Sequence, residues 1–268
     1  MFTFNKSSGL QKANSKPEGS IQIDTMSDLH LDFYITKENV TQQIKSFIEL
    51  AVKQMKVKTG EVLIVGGDIS HDNSITLEFL NELSKIWNCV LVIPGNHDWY
   101  FQNKDEDRYA ELIEMTNNRN IYFLMDEIEI FEYEGIKIAG TSMLYDLNET
   151  VDYVMWKSIL NDRRFMSRNF VNKRNKADVE YYNKVINDVD IFVSHVPIVN
   201  LDGDAVTKNL FLNMNVSPQK DVLYIAGHTH FRRNSVDVDS EFNALNISYG
   251  YPSETSDKRD VITPIFIN

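Results

Sequence analysis

Short apolar runs alternate with longer amphipathic stretches, and five of the runs share one feature: each ends in Asp, Asn or His. Ile21–Met26 leads into Ser27-Asp28-Leu29-His30, and Glu61–Val65 into Gly66-Gly67-Asp68. Cys89–Pro94 leads into Gly95-Asn96-His97-Asp98, Asp190–Val193 into Ser194-His195, and Val222–Ala226 into Gly227-His228-Thr229-His230. Runs this short, rich in β-branched residues and bounded by Gly or Pro, predict buried strands. Between them, apolar residues recur at helical spacing over Asn39–Val57 (Val40, Ile44, Phe47, Ile48, Ala51, Met55), Ser74–Trp87 and Asp105–Met115. A helix between two strands returns the chain for parallel pairing. Beyond residue 120 the texture changes. Ile121–Leu124, Ile128–Tyr133 and Ile136–Ala139 predict short strands of a second, partly antiparallel sheet, with Glu134-Gly135 at a tight turn. Residues 145–188 read as mostly helical. Ser235–Val238, Ala244–Ser248 and Val261–Ile267 read as further antiparallel strands, and residues 200–204 and 249–260 as loops.

The expected fold class is α/β, with one domain over residues 21–268, because no linker divides the strand ends from residue 28 to residue 230. Residues 1–20 are polar and read as a mobile or surface-draped extension. The chain has 268 residues, is 43 % hydrophobic and contains one cysteine, so an intrachain disulfide is excluded. Cys89 reads as a core residue. No apolar run reaches the roughly 20 residues of a membrane span. The first twenty residues lack the apolar region of a signal peptide, which predicts a cytoplasmic protein. A net charge of -12 disfavours duplex nucleic acid as a partner. Against that charge, Arg163, Arg164, Arg168, Lys173, Arg174 and Lys176 form a run without an acid. It reads either as an electropositive lip for a phosphorylated substrate, led by Arg163 and Arg164, or as a solvated face.

The strand ends gather Asp28, His30, Asp68, Asn96, His195, His228 and His230. Seven oxygen and imidazole donors exceed the needs of one ion. They suit two divalent metal ions sharing a carboxylate, and a sulfur-free set fits Mn²⁺, or else Fe or Zn²⁺. Two such ions are the apparatus of displacement at phosphorus, with a bridging hydroxide as nucleophile. A leaving alkoxide then needs a proton, and His97, beside Asn96, is the candidate general acid, with Asp98 or Asp72 to orient it. Five of the six histidines fall in these motifs. The sixth, His71, follows Gly-Gly-Asp by three residues and reads either as a support behind the ligands or as helix-start surface, the second being preferred. Trp99-Tyr100-Phe101 either wall the substrate or pack the loop down.

In the order D-x-H (Asp28, His30), GD (Gly67, Asp68), GNHD (Gly95–Asp98), a lone His195 and GHxH (Gly227–His230), the chain resembles the calcineurin-like metallophosphoesterases. The resemblance implies a four-layer α/β/β/α sandwich with two mixed β-sheets. It implies one ion on Asp28, His30, Asp68 and His230, and another on Asp68, Asn96, His195 and His228. Asp68 would bridge them, and His97 would be the acid. The protein Ser/Thr phosphatases carry GDxxDRG and GNHE, whereas here the segments are Gly67–Asn73 without Arg, and GNHD. SDLHLDFY (27–34), GTSMLYD (140–146), NDRRF (161–165) and GYPSE (250–254) look similar to a group of small bacterial and phage members. That group often has Arg where this chain has Tyr249. The activity implied is hydrolysis of a small or nucleotide-like phosphodiester or phosphomonoester. A DNA or RNA nuclease of the double-strand-break-repair type, which shares GNHD and GHTH, is the alternative enzyme. A non-catalytic protein-binding scaffold is the alternative of another class.

Overall fold

A computed structural model describes residues 1–100, 107–199, 215–230, 242–255 and 260–268. The apolar runs are continuous because alternate residues feed two different cores. In Val62–Val65 (β4), Val62 and Ile64 join the packing between the sheets, while Leu63 and Val65 meet helices. Cys89–Val92 (β5) divides in the same way, with Leu91 inward and Val90 and Val92 toward the helices. Cys89 itself is half-buried at the edge of the inter-sheet core.

Among the described residues the larger sheet has seven strands. Their spatial order is Gly9–Lys12 (β2), Phe2–Asn5 (β1), Thr263–Ile267 (β12), Ile21–Met26 (β3), β4, β5 and Ile121–Phe123 (β6). β3 to β6 are parallel. The smaller sheet has five described strands, in the order Asn243–Asn246 (β11), Leu223–Ala226 (β10), Ile191–Ser194 (β9), Ile136–Thr141 (β8) and Phe131–Tyr133 (β7). It is parallel except for the hairpin of β7 and β8. Val40–Gln54 (α1), Asn73–Leu83 (α2) and Arg108–Met115 (α3) cover the outer face of the larger sheet. Arg168–Val185 (α5), following Thr150–Ile159 (α4), packs Tyr181, Tyr182 and Val185 on the outer face of the smaller one. The expected four-layer α/β/β/α arrangement of two mixed sheets is therefore present. Among the described residues no helix is long and apolar enough to cross a membrane.

Two expectations change. Residues 2–12 are not draped over the surface: β1 pairs with β12 in parallel and with β2 antiparallel, and Phe4 and Leu10 are buried between the sheets. Phe2 and Phe4 supply the alternation, but a strand of four residues in a polar segment gives a weak pattern. β11 is parallel to β10 rather than antiparallel. β12 does run antiparallel to β3. The predicted strand over residues 235–238 and the loop over 200–204 lie outside the described residues.

Candidate metal centre

β3, β4, β5, β9 and β10 all run in the same sense within their sheets and end at one rim, where α/β sheets bind ligands. The loops after them are bent sharply. Asp28, His30, Asp68, His228 and His230 all have φ between 44° and 70°, the left-handed region that L residues rarely adopt. Gly67 has φ 86°, and a Cβ there would lie 2.3 Å from the Gly95 nitrogen. A Cβ on Gly95 would lie 2.2 Å from Asp68 Oδ1. The glycines thus let two loops touch beside the carboxylate.

Asp28, His30, Asp68 and His230 bring four donor atoms within 4.8 Å of one another. His30 Nε2 stands 3.0 Å from His230 Nε2, and His230 Nε2 3.4 Å from Asp28 Oδ1. On the other side, Asn96 Oδ1 lies 3.0 Å from His195 Nε2 and 3.1 Å from His228 Nδ1. Asp68 Oδ2 faces both groups, 3.8 Å from His30 Nε2 and 3.4 Å from His195 Nε2. Donors held by one ion at ~2.0–2.1 Å stand ~3.0–3.4 Å apart, so the donor set fits divalent metal. The far nitrogens agree. His195 Nδ1 donates to the Gly66 carbonyl (2.9 Å), and His230 Nδ1 meets Glu254 Oε2 (2.8 Å), leaving each Nε2 for the centre.

A model of the calcineurin-like phosphoesterase family matches residues 21–232. The chain belongs to that family. It is accordingly a metal-dependent phosphoester hydrolase. An uncharacterized protein of Acanthamoeba polyphaga mimivirus is 25 % identical over 199 residues, 62 % of this chain and 70 % of its own length. A second uncharacterized mimivirus protein is 26 % identical over 155 residues, and the match spans 52 % of this chain but only 11 % of that protein. Phosphopantetheinyl hydrolase from Mycobacterium tuberculosis shares the fold. Its TM-score is 0.68 at 17 % identity, covering 92 % of this chain and 96 % of that one.

In this phosphoesterase, burial opposes charge on every member of the cluster, and the neighbours decide which groups yield. The Asp28 carboxylate resists burial through its bond to His230 and the charges of His195 and His230, and stays below the usual carboxylate range. Asp68 is held well below that range, since His195 and His97 outweigh its burial. Burial disfavours a proton on His195, yet the charge and hydrogen bond of Asp68 push it up to about 10. For His230, burial is likewise overcome by Asp28, and the value rises to about 9. Burial, then the charge of His195, takes His228 down to about 3. Burial also lowers His30 and His97, against the pull of Asp68.

The cleft over the site has a volume of about 440 Å³ and is lined by Asp68, Asn96, His97, Asp162, His228 and Tyr251 among others. His97 Nε2 faces it, 3.3 Å from the Tyr251 hydroxyl and 3.9 Å from Asp68 Oδ2. Neither Asp98 nor Asp72 is the hydrogen-bonding partner of His97. Asp98 accepts backbone N–H groups of Asp68, Gly95 and Ile69, and Asp72 caps α2 through Ser74. Among the described residues, the partner of His97 Nδ1 is His71, whose Nε2 lies 2.5 Å away. His71 is thus part of the site rather than helix-start surface.

The basic run does not form a lip as a unit. Arg174 is half-buried against Asp178 and Asp126, Arg168 donates to the Leu147 and Asn148 carbonyls, and Lys176 pairs with Glu180. Arg163 and Arg164 are exposed on the short turn Asn161–Arg164, and the cleft takes Asn161 and Asp162 from that turn instead. Asp162 accepts from Asn96 Nδ2 (3.0 Å) and from the Tyr100 hydroxyl, which turns Asn96 Oδ1 toward His195 and His228. Trp99 is buried under the loop, whereas Tyr100 stacks on His97 (4.2 Å) and lines the cleft. Phe101 lies outside the described residues.

Proposed function

We propose that this phosphoesterase hydrolyses a small or nucleotide-like phosphate ester, diester or monoester, using two divalent ions, Mn²⁺ or else Fe or Zn²⁺. The observation that carries this reading is the position of Asp68 Oδ2, which faces both donor groups at once. Asp28, His30, Asp68 and His230 would hold one ion; Asp68, Asn96, His195 and His228 would hold the other. Ions bound there supply Lewis acidity toward the phosphoryl oxygens and activate water for attack at phosphorus.

The chain's own residues prepare that site. The His97 backbone N–H donates to Asp68 Oδ1 at 2.8 Å, which fixes the carboxylate with Oδ2 turned inward. Ser27 Oγ donates to Asp28 Oδ2 at 2.6 Å and locks the second carboxylate. His97 Nε2 points into the cleft and carries the proton that a leaving alkoxide needs.

The test is hydrolysis of bis-p-nitrophenyl phosphate and p-nitrophenyl phosphate after stripping with EDTA and restoring Mn²⁺. Restored activity mainly on the diester assigns a phosphodiesterase; mainly on the monoester, a phosphatase. No restored activity on either, with two equivalents of metal bound, overturns the proposal.

A further inference from the structure

We infer that the ester this enzyme takes carries a flat, uncharged ring, and that Phe33 is the side chain that recognises it. The inference rests on the proposed reading of the cleft as the seat of a small phosphate ester. Phe33 ends the short turn Leu31–Phe33, which follows His30 directly. Its ring is 54 % exposed and stands 6.4 Å from the ring of His30. It meets Tyr251 edge-on, at 5.0 Å and 74°. Tyr251 in turn lies flat on His30 at 4.2 Å and lines the cleft. One face of Tyr251 is thus taken by His30, and Phe33 carries the aromatic wall outward to solvent. Near Asn96 the wall is aliphatic. Ile159, the last residue of α4, and Leu160 line the cleft there, next to the Asp162 that holds Asn96. Ile159 is 58 % exposed. Among the described residues, neither Phe33 nor Ile159 joins an apolar core, so packing does not account for either.

An aromatic face selects a flat ring over an alkyl chain, because two rings gain from stacked or edge-on contact beyond the area they bury. Charge narrows the class further. The described residues lining the cleft include the carboxylates of Asp68, Asp162 and Glu254, and no Lys or Arg. Asp68 belongs to the donor set, but Asp162 and Glu254 would face any second phosphate group and repel it. A nucleobase joined through its sugar and an aryl group joined directly to the ester oxygen share the chemistry that Phe33 would read.

Phosphonates resist hydrolysis, so calorimetric titration of zinc-loaded protein with them reads binding alone. Phenylphosphonate, or the phosphonate analogue of thymidine 5′-monophosphate, should bind about tenfold or more tighter than methylphosphonate, the gain expected of one stacked ring. An advantage for both, or for phenyl alone, assigns a ring next to the ester oxygen; an advantage for the thymidine analogue alone assigns a base reached across a sugar. Phe33→Ala should remove most of the advantage, and Phe33→Trp should keep it. Adding a 3′-phosphate to the thymidine analogue should lower its affinity. Equal binding of all three ligands, cyclohexylphosphonate binding as tightly as phenylphosphonate, an advantage that survives Phe33→Ala, or tighter binding with the 3′-phosphate overturns the inference. Turnover separates it from the proposed function. Ring-dependent binding in a protein that cleaves neither p-nitrophenyl ester upholds the inference and overturns that function; cleavage without ring-dependent binding does the reverse.

Discussion

The Asp98 carboxylate accepts the backbone N–H of Asp68 at 2.8 Å, and the same oxygen accepts the N–H of Gly95 at 2.8 Å. One buried side chain thereby joins the loop after β4 to the loop after β5. Its other oxygen takes Ile69 N–H at 3.2 Å. Asp98→Ala would leave three buried donors unpaired. A buried unpaired donor costs about 1–3 kcal/mol, so a loss of about 3 kcal/mol or more is expected in urea unfolding. Metal affinity should fall with it, because Asp68 is carried on the displaced loop. An unfolding midpoint equal to that of the unmodified chain would remove Asp98 from this role.

Asp68 faces both donor groups through a single oxygen. Asp68→Asn should accordingly weaken both proposed ions together, by roughly tenfold or more each, judged by the effect of altering even outer supports of metal ligands. Titration calorimetry after metal stripping would read this directly. Loss of one ion with the second retained at full affinity would show that the carboxylate does not serve both.

Without ions, His195 with a value of about 10 and His230 with about 9 are protonated at neutral pH, balancing Asp28 and Asp68. A metal needs the lone pairs those protons occupy. Metal binding should therefore release roughly two protons at neutral pH, and affinity should climb as pH rises toward those values. Calorimetry in buffers of different ionisation enthalpy counts the protons; a count near zero would contradict the charge balance.

Asp162 fixes the side of Asn96 that faces the centre. Asp162→Ala should free the amide to rotate and reduce affinity at the ion proposed for Asn96, His195 and His228 by about 10–100-fold, with less effect at the other proposed ion. Asp162→Asn can still accept the Asn96 N–H and should lie between. Equal weakening of both ions would indicate general disruption of the cleft.

How much of this was legible in the sequence follows from what a local pattern can encode. The convergence of five strand ends on one rim was legible because each carries two adjacent signals, an apolar run and a polar residue that packing alone would not choose. The helices were legible from their 3.6-residue spacing, although α1 is shorter than its pattern and α3 starts at its Asp107 cap. The role of Asp162 was not legible, and that of His71 only as the less favoured of two readings. Each acts through a partner far away in sequence, and no spacing rule links residue 71 to residue 97 or residue 162 to residue 96. A usable signal existed for His71: it completes the set of six histidines and follows Gly-Gly-Asp by three residues. The basic run misled because acids outside it neutralise it: Arg174 pairs with Asp178, four residues on, as well as with Asp126, 48 residues upstream, and Lys176 pairs with Glu180.

The left-handed backbone at five donor positions makes the centre a sprung assembly. Each such residue carries a penalty of about 1–2 kcal/mol relative to ordinary backbone, somewhat less for Asp and His. At these positions the usual ranking of substitutions should invert. Glycine, elsewhere the costlier replacement, would relax the loop, while alanine would remove the donor and keep the distortion. The conformations that gather Asp28, His30, Asp68 and His230, and set His228 beside Asn96, are thus ones the chain would leave if its surroundings allowed. The rigidity of the strands beneath them is what the chemistry draws on.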